Sequence, residues 1–123
     1  LLKKEKIMSE NWTNLTEVKQ IDTIVSLSYT SPVFIFKHSV TCGISAQAKE
    51  NLEIGTKNGD KLFHFYYLDL LNFRTVSNEI ATAFDVHHQS PQIILVHHGK
   101  AIFSASHHKI KPTTINESLQ LLT

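Results

Sequence analysis

The sequence predicts an α/β fold, a four-stranded mixed sheet with helices on both faces, and three observations carry that expectation. Short, wholly apolar runs such as Val33-Phe34-Ile35-Phe36 and Ile93-Ile94-Leu95-Val96 have the length and composition of strands buried on both sides. Around them lie stretches in which apolar residues recur every three or four positions, the spacing of an amphipathic helix. With 123 residues, 41% of them apolar, the chain has room for one core and little more.

Taken in order, residues 1–11 are expected to be disordered and residues 12–123 to form a single domain. Lys3, Lys4, Glu5 and Lys6 are followed by no apolar stretch, so the start does not read as a signal peptide. Met8, followed by Ser9-Glu10-Asn11, is a candidate natural start, with Leu1–Ile7 a leader. Asn14-Leu15-Thr16-Glu17 has the form of a capping box, and Leu15, Val18, Ile21 and Val25 continue it as a helix that stops before Ser31-Pro32. The run from Val33 to Phe36 is the first strand. After Cys42, Ile44, Ala48 and Leu52 repeat every four residues as a second helix, which Gly55 and Asn58-Gly59 are expected to end. The aromatic segment from Leu62 to Leu68 reads as the second strand, its rings as strand core. Val76, Ile80, Ala81 and Phe84 form a short amphipathic helix. Pro91 opens the third strand, His98-Gly99 sits where a two-residue hairpin turn falls, and Ala101 to Ser106 is the fourth strand. Thr114-x-x-Glu117 caps a last helix with Ile115, Leu119 and Leu122 on one side.

A strand–helix–strand crossover gives a parallel pair with a right-handed connection, and the hairpin adds two strands antiparallel to each other. That arrangement is the thioredoxin-like one. Net charge is only +1 and the basic residues are spread along the chain, so no electrostatic footprint for nucleic acid is present. No apolar run approaches the roughly 18 residues of a membrane span.

The single cysteine limits the chemistry. No intrachain disulfide is possible, which fits a reducing compartment, and any redox step must pass through a bond to another molecule. Cys42 follows a buried strand by a few residues and opens a helix. There the first backbone N–H groups lack intrahelical partners and the dipole places positive potential, both of which favour thiolate, the attacking species in disulfide exchange. The competing reading is a lone cysteine packed as a small hydrophobe. Against it stand the small or polar neighbours Thr41, Gly43 and Ser45 and the absence of a periodic apolar face. Cys42-Gly43-Ile44-Ser45 has the C-x-x-S form. Ser45 stands where a dithiol enzyme has its resolving cysteine; its hydroxyl can hydrogen-bond a thiolate but cannot attack a mixed disulfide. Ser90-Pro91 falls where this topology places a cis-proline beside the reactive cysteine, with backbone groups of Ser90 available to a substrate strand. The ordinary alternative is a trans proline opening a strand.

Phe34-Ile35-Phe36-Lys37-His38-Ser39-Val40-Thr41-Cys42-Gly43-Ile44-Ser45 together with His87-His88-Gln89-Ser90-Pro91-Gln92 resembles the monothiol bacilliredoxins, the YtxJ-type proteins of the bacillithiol system, over Trp12 to Leu119. The family commonly has Pro where this chain has Gly43. The resemblance implies a cytoplasmic enzyme with Cys42 as nucleophile, Thr41, Gly43, Ile44 and Ser45 as its loop and Ser90 and Pro91 as the substrate edge. It also implies bacillithiolated client proteins as partners and bacillithiol as a consumed cosubstrate, with no tightly bound cofactor.

Two other functions compete. Cys-Gly-Ile-Ser is one residue from the Cys-Gly-Phe-Ser of monothiol glutaredoxins, which carry iron–sulfur clusters, though the double glycine they place after the third strand is missing. A non-catalytic module that docks peptides at Ser90-Pro91 is the other. Eight histidines invite a metal site, but the pairs at 87–88, 97–98 and 107–108 lack zinc-ligand spacing, and none is expected. The proposed fold places the 87–88 and 107–108 pairs at the Cys42 end of the sheet and 97–98 at the far end. Lys37 and Arg74 are suited to a carboxylated small thiol but read more simply as solvated charges.

Overall fold

A computed structural model describes residues 12–57 and 63–123, so the expectations for residues 1–11 and for Asn58-Gly59 lie outside the described residues. Five strands and four helices follow in the order β1 (Trp12–Asn14), α1 (Gln20–Leu27), β2 (Val33–His38), α2 (Gly43–Lys57), β3 (His64–Asp69), α3 (Arg74–Phe84), β4 (Gln92–His97), β5 (Lys100–Ser106) and α4 (Thr114–Leu119). Short 3₁₀ turns follow β5 and α4.

The sheet has the order β1-β3-β2-β4-β5, with β1, β3 and β2 parallel, β4 antiparallel to β2, and β5 antiparallel to β4. The expectation of four strands is therefore corrected to five. Trp12 pairs with Phe65 across the β1–β3 edge and stacks on its ring at 4.2 Å, which pulls Trp12–Asn14 into the sheet. Leu15 follows with its N–H on Tyr67 O and its side chain fully buried. The first helix is also later than expected. Leu15 and Val18 precede it, and the side chain of Gln20, its first residue, accepts the Thr16 and Glu17 N–H groups in place of the anticipated capping box.

Residues alternate across β2 and sort the core into two halves. Val33 and Ile35 pack with Ile94, Val96, Ile24 and Ile80 on the α1/α3 side. Phe34 and Phe36 pack with Ile93, Leu95, Leu52 and Ile115 on the α2/α4 side. All six residues of β2 are buried, the four of the apolar run as a central strand requires and Lys37 and His38 beyond it.

Gly55 does not end α2 but lies inside it. A Cβ there would come 2.8 Å from Pro112 O, so the glycine marks close packing of α2 against the segment before α4. Neither does Thr114 cap α4 as expected: it is the first helical residue, and its hydroxyl accepts the Lys111 N–H. At the hairpin, His98 and Gly99 both adopt positive φ, 53° and 76°, as a primed turn requires. Buried Ser28 holds that turn, accepting the His98 N–H on its carbonyl and the Gly99 N–H on its hydroxyl. Among the described residues no helix is long and apolar enough to cross a membrane.

Candidate functional site

Parallel β2 and β3 end on the same side of the sheet, and antiparallel β4 begins there. Lys37 lies opposite Gln92 in the β2–β4 register, so the segment leaving β2 toward Cys42 and the segment entering β4 through Pro91 emerge side by side. The Ser90–Pro91 peptide is cis, and Pro91 is buried. Its carbonyl accepts the His107 N–H, which places the histidines at 107 and 108 at this end, while those at 97 and 98 lie at the hairpin on the other.

Between β2 and α2 the chain makes a tight turn, the Cys42 N–H donating to Ser39 O at 3.1 Å. The Cys42 carbonyl then accepts the Ala46 N–H at 3.0 Å, making Cys42 the residue at the threshold of the helix. The cysteine is partly exposed and unpaired. Thr41, Gly43 and Ile44 are exposed around it, as is Val40. Nothing lies within 4 Å of where a Cβ would stand on Gly43, so that position is open to a side chain.

Ser45 is not turned toward solvent. It is fully buried, its hydroxyl accepting the Ser39 N–H at 2.9 Å and lying 2.7 Å from His38 Nδ1. Having accepted from Ser39, the hydroxyl has its proton free for His38, so the C-x-x-S serine secures the two ends of the cysteine loop. Burial above all, and the Lys49 charge second, push His38 below its usual 6.5, against smaller opposing pulls from Asp69, the Ser45 backbone and Glu53.

Lys37, read from the sequence as a solvated charge or a contact for a carboxylated thiol, is instead fully buried. Alternation explains the correction: Lys37 follows Val33 and Ile35 on the α1/α3 side of the sheet, roofed by α3. Its ammonium donates to Ser77 O at 3.1 Å and lies 3.2 Å from His88 Nδ1. Burial lowers its pKa from 10.5 to about 8. His88 is held below its usual 6.5 by burial first, then by the charges of Lys37, Arg74 and His87. Gln92, also buried, donates its amide to His87 O at 3.0 Å. The Ser90 hydroxyl and Gln92 Oε1 are buried without a partner. Arg74 is exposed at the start of α3.

Lys37, His38 and His88 lie in the segments that carry the family resemblance but are not among the site residues assigned from the sequence. The usable signal was the charged pair closing an otherwise apolar strand four residues before the cysteine. Among the described residues no group of three or more His, Cys, Asp or Glu side chains is placed to hold a metal ion.

Residues 13–115 match the family model described as monothiol bacilliredoxin BrxC. Among solved structures, the chain is similar to a protein described as a candidate oxidoreductase with a thioredoxin fold, at 26% identity and a TM-score of 0.81, covering 91% of this chain and 96% of that one. It is also similar in fold to thioredoxin from Fasciola hepatica (14% identity, TM-score 0.69, 90% and 99% covered). Mitochondrial thioredoxin 3 from Saccharomyces cerevisiae gives 15% identity and a TM-score of 0.67, with 92% and 97% covered. The fold is thioredoxin-like α/β.

Proposed function

Because the chain belongs to the monothiol bacilliredoxin family, we propose that its thiol oxidoreductase-like chemistry is the removal of bacillithiol from protein mixed disulfides. The Cys42 thiolate attacks the bacillithiol sulfur of a bacillithiolated client. The client–bacillithiol S–S bond breaks, the client cysteine leaves as thiolate, and a Cys42–bacillithiol disulfide forms. A second bacillithiol thiolate then attacks that sulfur, restoring the Cys42 thiolate and leaving bacillithiol disulfide. Electrons balance without any bound cofactor: the client sulfur is reduced, one free bacillithiol thiol is oxidised in its place, and the bacillithiol taken from the client stays at the disulfide level throughout.

The observation that carries this reading is the placement of the chain's one cysteine, partly exposed at the threshold of α2, at the sheet end that also bears the cis Ser90–Pro91 peptide. Thr41, Gly43 and Ile44, all exposed, leave the sulfur approachable, and the Ser90 backbone at the same sheet end offers an edge for an extended client segment. Ser45, occupied by Ser39 and His38, supplies no second sulfur, so the resolving thiol must come from outside.

The test is release of bacillithiol from a bacillithiolated client protein, followed by mass spectrometry. Wild type is expected to release it and Cys42→Ser to lose the activity entirely; equal rates for the two proteins would defeat the proposal. The same assay with a glutathionylated client ranks the small thiols. An anaerobic preparation that is brown, with visible absorbance lost in Cys42→Ser, would instead identify a cluster carrier.

A further inference from the structure

The α1/α3 side of the sheet is apolar along β2 and β4, with Val33, Ile35, Ile94 and Val96 all fully buried, until it reaches Lys37 and Gln92 at the site end. An ammonium in that setting is costly, and a leucine or methionine would fill the volume without it. Among the described residues no carboxylate pairs with it; its partners are the Ser77 carbonyl and the His88 imidazole. Both Lys37 and its register neighbour Gln92 spend their polar ends on the same short segment, Lys37 on the His88 ring and Gln92 on the His87 carbonyl. That segment runs directly into Ser90 and Pro91.

We propose that Lys37 is a positioning residue for the Ser90–Pro91 half of the site: through His88 it fixes the chain between α3 and β4 in the geometry that receives the client strand. The inference rests on the functional reading above and adds to it a residue that touches neither sulfur nor client. An ammonium only donates, so His88 Nδ1 must carry the lone pair and the imidazole proton sits on Nε2. The Ser77 hydroxyl lies 3.4 Å from the same Nδ1, so α3 offers the ring a second polar contact beside the ammonium. Lys37 and His38 divide the work: the first secures the proline segment on one side of β2, the second the cysteine loop on the other, through Ser45.

The experiment compares full-length wild type with Lys37→Met, His88→Phe, His88→Asn and the double variant Lys37→Met/His88→Phe. On a bacillithiolated client, kcat/KM is expected to fall about tenfold in Lys37→Met and in His88→Phe, mostly through KM, the scale of a lost charge-assisted bond. His88→Asn, which keeps an acceptor near the Nδ1 position, is expected to retain near wild-type activity, and the double variant to be no worse than either single one. Alkylation of Cys42 by iodoacetamide is expected to stay within about twofold of wild type, because the cysteine loop is held separately. Backbone ¹⁵N order parameters at His88, Gln89 and Ser90 are expected to fall in Lys37→Met and His88→Phe, with β2 and α2 unchanged. Unchanged order parameters at those three amides in both variants, or losses that multiply in the double variant, would overturn the proposal. Should wild type fail on bacillithiolated clients, the functional reading falls, and the order parameters by themselves still decide whether Lys37 holds the segment.

Discussion

With the Ser39 N–H and His38 Nδ1 as its two partners, the Ser45 hydroxyl joins the last residue of β2, the first residue of the loop and the first turn of α2. Removing it leaves a buried N–H and a buried imidazole nitrogen unpaired. Ser45→Ala is therefore expected to lower stability by about 1–3 kcal/mol, measured by urea denaturation, the cost of orphaning buried polar groups. A loss below about half a kcal/mol would place that hydroxyl outside the loop's support. The sequence made the serine's position in C-x-x-S plain but not its direction, because a tetrapeptide does not say which side chain faces the core. Lys37 was hidden by the same ambiguity. Its chemistry argues for solvent, and only the alternation through Val33 and Ile35 argues for the interior.

At the scale of elements, α2 contains two glycines with opposite surroundings. Gly43 has open space about its missing Cβ, whereas at Gly55 a Cβ would meet Pro112 O at 2.8 Å. Alanine has the higher helix propensity at both, so propensity alone predicts the same sign twice. Packing separates them. Gly43→Ala is expected to raise stability by about 0.4–1 kcal/mol and Gly55→Ala to lower it by about 1–3 kcal/mol, both read from denaturation midpoints. Two changes of the same sign would overturn this account. Gly55 read as a helix end from the sequence because glycine's commonest duty near a helix terminus is to stop it; only the path of residues 110–114 against α2 shows the other duty. Strand β1 escaped notice for a related reason. Three residues give no periodicity, and what makes Trp12–Asn14 a strand is Phe65 and Tyr67, half the chain away. The apolar runs of the central strands need no partner to be recognised, but β2 continues past the run at Phe36 through Lys37 and His38, and β4 takes in Gln92 and His97 at its ends.

Over the whole molecule, two buried basic groups, Lys37 and His38, and half-buried His88 lie near one end of the sheet, and all are shifted toward their neutral forms. His38 and His88 both lie below their usual 6.5 in the folded protein, so as pH falls through about 6.5 the unfolded chain takes up their protons first. Stability is thus expected to fall with acidification below that pH, and His88→Asn to flatten part of the slope. Lys37 acts in the alkaline range. With a folded pKa of about 8 against 10.5, it makes the protein gain stability as pH rises between those values. Urea titrations across the acid and alkaline ranges check both signs, and an acid limb that His88→Asn leaves untouched would sink the assignment. The order of β2 to β5 and the placing of Cys42 and Pro91 at one end could be read from motif order alone. These ionisations could not, since they depend on what covers each side of β2.

The pleat of β2 has one more consequence. Neighbouring residues on a strand look in opposite directions, so the order of Lys37 and His38 carries information that their composition does not. Exchanging the two would keep every atom count yet deliver the imidazole beneath α3 and the ammonium beneath α2, where Ser45 and Lys49 wait in place of Ser77 and His88. A single inserted residue upstream would do the same. The two halves of the site are therefore tuned by one dipeptide read in one direction, and evolution cannot adjust the grip on either loop by sliding the strand.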